Sequence, residues 1–143
     1  MLGRFSNEEL YKFPRLTQAE QILWRQFIVE HGMKYERFDY DLPVGEGVDP
    51  GDSVAEFLRK DYIDLTRKRI DAVGYRLGKA FLFEVKPRAA TTALGQLLTY
   101  KSLYNQTFPG IPVGGLSVVT SMINPDEAQV YKKFDIEIFI YPM

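Results

Sequence analysis

The sequence has no cysteine and one histidine, His31. The first absence excludes disulfides, cysteine-held zinc, iron–sulfur clusters and thiol catalysis. The second excludes paired-histidine metal motifs and leaves His31 as the sole histidine for a nucleophile–base dyad. Net charge is also scarce: 18 Lys and Arg stand against 19 Asp and Glu, giving -1. No global excess points to nucleic acid or a membrane surface, so any charged site must be local. No apolar run reaches the roughly 20 residues of a membrane span. The opening stretch MLGRFSNEEL lacks the apolar core of a signal peptide. The expected setting is cytoplasmic, with no membrane partner. Carboxylates, lysine, tyrosine and hydroxyls are what remain for chemistry.

A chain of 143 residues is about one domain, and residues 1–143 are read as one. With 45% hydrophobic and 26% charged residues it can bury a core and is not a disordered segment. The first strong helix starts at Thr17, where Thr17-x-x-Glu20 has the capping-box pattern. Ile22, Leu23, Trp24, Phe27 and Ile28 continue it at helical spacing, and Gly32 is its expected stop. A short helix is expected before it, from Ser6-x-x-Glu9 to Pro14. Aromatic and charged residues alternate from Lys34 to Leu42, a strand pattern, and PVGEGVDPG reads as a surface loop.

One or two helical turns are expected in SVAEFLRK, then a strand region from Tyr62 to Leu77. Gly78-Lys79 would turn the chain into a second strand, Ala80 to Val85, forming a hairpin. Thr91 or Thr92 can cap the next helix, which runs to about Tyr104. Leu116 to Thr120 reads as a buried strand. Asn124-Pro125-Asp126-Glu127 is a helix start, and the alternation from Phe134 to Tyr141 a last strand. The order α-β-β-β-α-β-α-β predicts a mixed α/β sheet flanked by helices.

Four features meet in the middle of the chain. Asp71 sits on or at the end of a strand. Glu84 and Lys86 end the next strand, two apart and therefore on one face. Gln96 and Tyr100, four apart on the following helix, share a face as well. The hairpin would set Asp71 beside Glu84. Two carboxylates that close repel unless a cation lies between them or one takes a proton. Mg²⁺ prefers such oxygen ligands, completed by water and substrate phosphate. Lys86 would then face the metal-bound water.

These residues resemble the PD-(D/E)XK, or restriction endonuclease-like, nuclease superfamily. Asp71 and Glu84-Val85-Lys86 match its signature, and Gln96-Leu97-Leu98-Thr99-Tyr100 is similar to the Gln-x-x-x-Tyr motif of the RecB-like branch. One departure is Ile70, where the signature has proline before the Asp. The resemblance covers about Thr17 to Thr120 and implies an αβββαβ core, here with an extra C-terminal helix and strand. It implies a deoxyribonuclease using Mg²⁺ or Mn²⁺, with Asp71, Glu84 and the Val85 carbonyl as ligands. Glu20 on the first helix is the candidate further ligand, Lys86 would assist the attacking water, and Gln96 and Tyr100 would orient the site. DNA is the implied substrate, with RNA not excluded. A homodimer would supply the two sites that double-strand cutting needs, and a protein partner could target so small a chain.

Plainer readings stand beside these. Asp71 could pair with Arg69 or Lys86, Glu84 with Lys86 across an edge strand, and Glu20 could be a cap alone. The run Arg67-Lys68-Arg69, with Arg88 and Lys101, offers candidate phosphate contacts or solvated surface. His31 reads as a helix-end or surface residue. Tyr62 and Tyr75 are the aromatics that could stack on bases. The functional alternative is a catalytically inactive nuclease-fold module that binds DNA or joins a phage or mobile-element assembly.

Overall fold

Leu77 and Gly78 join the two central strands. Both have positive φ, 51° and 75°, the pair of left-handed residues that a tight two-residue hairpin turn needs. Arg76 therefore pairs with Lys79, so Lys79 already belongs to the strand and the turn lies one residue earlier than Gly78-Lys79. The computed structural model describes residues 1–143.

Five strands form one mixed sheet: β1 (Arg37–Val44), β2 (Lys68–Arg76), β3 (Lys79–Ala89), β4 (Val113–Ile123) and β5 (Ile136–Ile140), in that spatial order. β1, β2 and β3 are antiparallel neighbours, while β3–β4 and β4–β5 are parallel. Each parallel step needs a crossover helix: α3 (Thr91–Thr107) and α4 (Pro125–Lys133) supply them. The helix α1 (Gln18–His31) covers the other face. Its capping box is formed as expected, with Thr17 Oγ1 accepting the Glu20 N–H and Glu20 Oε1 accepting the Thr17 N–H. No helix is long and apolar enough to cross a membrane.

Alternation along β3 builds two cores. Phe83 and Val85 point to α1 and join Trp24, Phe27, Phe38 and Tyr40 in an aromatic cluster. Ala80 and Leu82 point to α3 and join Leu97, Tyr100, Tyr104 and Val118. Glu84, next on that second face, is carried into the α3 side of the sheet.

β1 and β2 break the alternation together. Tyr40 and Ala72 pack with α1, yet Leu42 and Ile70, each two residues away, pack with α3. Both strands change face between those residues, at Asp41 and Asp71, and Asp41 has a left-handed backbone, φ 51°. Asp71 thus stands where its strand turns over.

Three further expectations need correction. The strand region from Tyr62 is helical at first: α2 (Glu56–Thr66) fills it, and β2 begins only at Lys68. None of its residues is buried, and Leu58, Tyr62 and Leu65, which recur at helical spacing, are exposed. It is held by polar contacts instead, with Thr66 Oγ1 accepting the Val48 N–H at 2.6 Å and Arg59 pairing with Asp49 and Asp52. No helix forms between Ser6 and Pro14; Phe5 bridges to Phe38, and residues 9–13 are held to α1 by Gln21 and Arg25. α3 is capped by neither threonine. Ala90 holds the cap position without a side-chain bond, and Thr91 Oγ1 donates to Glu127.

Candidate active site

The hairpin register pairs Ala72 with Phe83, and one step further brings Asp71 to Glu84. Here the ladder gives way to side-chain bonding. Asp71 Oδ2 accepts the Val85 N–H at 2.8 Å, and the carboxyl groups of Asp71 and Glu84 lie within hydrogen-bonding reach of each other. The face change at Asp71 is what aims its carboxyl across β3.

Glu84 is 3% exposed, and its Oε1 has no hydrogen-bond partner. Burial pushes its pKa up to about 9, and the Asp71 charge adds to the rise. Burial raises Asp71 as well, although the bond from Val85 works against it. The pair therefore shares a proton at neutral pH when no cation is bound. Lys86 lowers both through its charge but forms no ion pair with either. Of the plain readings, a salt bridge of Asp71 to Arg69 is absent: Arg69 pairs with Asp41 at 3.2 Å.

Tyr100 and Gln96 reach the same place from α3. Gln96 Nε2 donates to the Tyr100 hydroxyl at 3.4 Å, and Gln96 Oε1 is buried without a partner. Burial raises the Tyr100 pKa, and the charges of Glu84 and Asp71 raise it further. Glu20 acts on both carboxyls through its negative charge while its own carboxylate serves the capping box. No three Asp, Glu or His side chains converge closely enough to share one ion. The sequence-predicted set thus divides: Asp71 and Glu84 meet, Lys86, Gln96 and Tyr100 surround them, and Glu20 stands off.

The candidate phosphate contacts fare unevenly. Arg67 Nε donates to the Gly45 carbonyl and its Nη2 to that of Pro43, pinning the loop after β1. Arg69 is tied to Asp41. Lys101 lines a cavity with Val113, Gly114 and Phe134, at the far end of β4. Arg88 is exposed two residues beyond Lys86. His31 lies away from the carboxyl pair, between Glu30 and Lys34 and against Phe139. Tyr75 is not free to stack, because its hydroxyl donates to Asp39; Tyr62 is exposed on α2. Lys68, the middle residue of the basic run, is the one of the three left free. It lies two residues before Ile70, whose side chain joins the α3-side core, and lines a cavity with Gln96 and Tyr100. Its signal in the sequence is the basic run beside Asp71.

No family model matches the chain, and no curated protein does. Among solved structures it is similar to a repair endonuclease from Pyrococcus abyssi. The identity is 16% and the TM-score 0.50, over 92% of this chain and 50% of that one. It is also similar to the EndoMS–dsDNA2 complex, with 17% identity and a TM-score of 0.49, over 94% of this chain and 48% of that one. The chain thus spans about half the length of the solved structures it matches. At these identities the likeness bears on the fold alone. The fold is the expected mixed α/β, restriction endonuclease-like one. Its core runs α1-β1-β2-β3-α3-β4, with α2 inserted between β1 and β2, and with α4 and β5 at the end.

Proposed function

We propose that the protein is a metal-dependent nuclease that hydrolyses phosphodiester bonds in DNA. One observation carries this reading: two carboxyls, Asp71 and Glu84, are pressed together on the buried side of the sheet without a paired cation. A fold gains nothing from that arrangement, since each charge raises the cost of the other. The unpartnered Glu84 Oε1 and the all-oxygen donor set fit a hard divalent ion, Mg²⁺ or Mn²⁺. Asp71 and Glu84 would hold it, with the Val85 carbonyl as a further ligand, and water and phosphate oxygens would fill the remaining positions. Bound there, such an ion lowers the pKa of a water and offsets charge on the phosphate.

The chain's own groups do the positioning. Lys86, unpaired and beside both carboxyls, donates a hydrogen bond to the attacking water or to a phosphate oxygen. Gln96 and Tyr100 present an amide and a hydroxyl to the same space and fix the scissile strand or the water. Glu20 adds negative potential that favours a cation at the pair. The Gln96–Tyr100 pair supports a RecB-like assignment within the superfamily. RNA carries the same bond and belongs in the same test. A second copy of the chain, or a targeting partner, would complete a site able to cut both strands.

The test is cleavage of single-stranded, duplex and branched DNA, and of RNA, with Mg²⁺, Mn²⁺ or EDTA. Glu84→Gln and Lys86→Ala should each lower the rate by about 10²-fold or more, the scale of losing a preorganised catalytic group. If neither metal supports cutting of any substrate, the catalytic reading fails, leaving a nucleic-acid-binding or assembly module. If both variants cut like wild type, the site has been misplaced.

A further inference from the structure

Beside the carboxyl pair, a cavity of about 270 Å³ opens between β2 and α3, lined by Lys68, Gly95, Gln96, Thr99 and Tyr100. Tyr100 joins the two spaces, because its hydroxyl feels the charges of Asp71 and Glu84. Two of the lining residues have no explanation inside the chain. Lys68 is exposed and makes no ion pair, whereas its neighbours Arg67 and Arg69 are both tied down. Gly95 lies within α3, where glycine is the least favourable residue after proline. Its backbone is ordinary right-handed helix. A Cβ built on it would meet nothing within 4 Å, whereas one on Gly74 would strike Tyr35 at 2.7 Å. Neither backbone strain nor packing requires glycine at 95.

We propose that this cavity is the subsite for the sugar–phosphate backbone of a nucleic-acid strand. Gly95 leaves room for the strand to press against α3, and Lys68 meets a phosphate beside the one to be cut. A backbone approaching that closely explains a helix-interior glycine that nothing in the chain itself touches. A lone lysine at the cavity wall is a point charge suited to a phosphate. This accounts for how a chain of net charge -1 holds a polyanion: the positive groups at the site are few and unpaired. The inference rests on the reading of this site as one for nucleic acid.

The experiment measures thermal stability, DNA cleavage and DNA affinity for wild type, Gly95→Ala, Lys68→Gln and Lys68→Arg. Affinity is read by anisotropy of labelled single-stranded and duplex DNA, with Mg²⁺ and in a Glu84→Gln background so that cutting does not interfere. Gly95→Ala should raise Tm by about 3 °C and yet weaken binding about three- to ten-fold, raising KM more than it lowers kcat. Lys68→Gln should weaken binding several-fold. It should also reduce the slope of log affinity against log salt by about 0.7 to 0.9, the share of one phosphate. Lys68→Arg should restore most of the loss. A Gly95→Ala protein that is more stable and binds like wild type, or an unchanged salt slope in Lys68→Gln, overturns the subsite. If the wild type cuts DNA while these variants bind normally, only the subsite falls. If it binds but does not cut and the variants bind weakly, the subsite stands and the nuclease reading falls. If it binds no nucleic acid, both fall.

Discussion

Two carboxylates lie buried in the same sheet, Asp39 on β1 at 2% exposure and Glu84 on β3 at 3%. The fold treats them in opposite ways. Asp39 Oδ2 accepts the Gly3 N–H and the Tyr75 hydroxyl, each at 2.7 Å, and its Oδ1 accepts the Arg4 N–H at 3.0 Å. Every donor comes from a segment the protein needs to hold, and the result fastens the N-terminal residues to β1. Glu84 is given no donor at Oε1 and a second acid for a neighbour. A buried carboxylate with its hydrogen bonds satisfied stabilises the fold, whereas an unsatisfied one beside a like charge destabilises it. The contrast separates an acid whose role is structural from one that burial leaves unsatisfied, and it can be broken by measurement.

The largest effect should come from the structural acid. Asp39→Ala leaves two backbone N–H groups and the Tyr75 hydroxyl without their acceptor, and should cost about 3 kcal/mol in urea unfolding. Nuclease activity per folded molecule should hold. A loss below about 1 kcal/mol would show that water replaces the carboxylate, and that the N-terminal segment is not anchored through it.

Glu84→Gln should act in the opposite direction and depend on pH. The folded Glu84 keeps its proton up to about 9, well above its ordinary 4.5. Through most of that window the folded state binds more protons than the unfolded state, so metal-free stability falls as pH rises. Below 4.5 both states are protonated and the difference disappears. In EDTA the variant should therefore match wild type near pH 4 and exceed it by about 2 kcal/mol at pH 8, well short of the limit of about 1.4 kcal/mol per pH unit for one proton. Parallel stability curves for the two proteins across that range would remove the shared-proton account of the pair.

The difference between the two acids also marks what was legible in the sequence. Glu84 was found because Glu-x-Lys ends an apolar β-prone run, and because a hairpin sets Asp71 opposite it; both are local patterns. The Thr17–Glu20 cap and the Asn124-Pro125 helix start are local too, and both formed. Asp39 escaped notice because its partners, Gly3, Arg4 and Tyr75, lie more than 30 positions away in the chain. The same holds for Arg67 and Arg69, whose partners lie in and just after β1, some two dozen positions upstream. α2 was half missed although Leu58, Tyr62 and Leu65 recur at helical spacing, a periodicity that here reports no burial. The face change at Asp41 and Asp71 was invisible, since it breaks the period-two rule that strand reading depends on. That irregularity is what turns Asp71 toward Glu84.

A metal should offset most of the Glu84 cost. Mg²⁺ at ten times its dissociation constant should stabilise wild type by about 1.4 kcal/mol at pH 8, by mass action on the folded state. Both Glu84→Gln and Asp71→Asn should lose most of this gain, and Asp39→Ala should keep all of it. Thermal shift against Mg²⁺ concentration reads this without any substrate. Equal shifts in all four proteins would place the ion elsewhere.

The smallest expected effect belongs to Glu20, which stands between the two kinds of acid. Its carboxylate accepts the Thr17 N–H as a cap does, while its charge bears on Asp71 and Glu84 as a site residue's would. Glutamine keeps the capping bond and removes only the charge. Relief of repulsion at the pair then opposes the loss of a favourable charge near the start of α1. Glu20→Gln should therefore change stability by no more than about 0.5 kcal/mol. Half-maximal stabilisation by Mg²⁺ should also stay within about twofold, since a remote charge near the surface couples weakly to the ion. A ten-fold rise in that concentration would instead make Glu20 a ligand, as the family resemblance implies. Either way the ratio assigns Glu20, because a cap has no bearing on how tightly the ion is held.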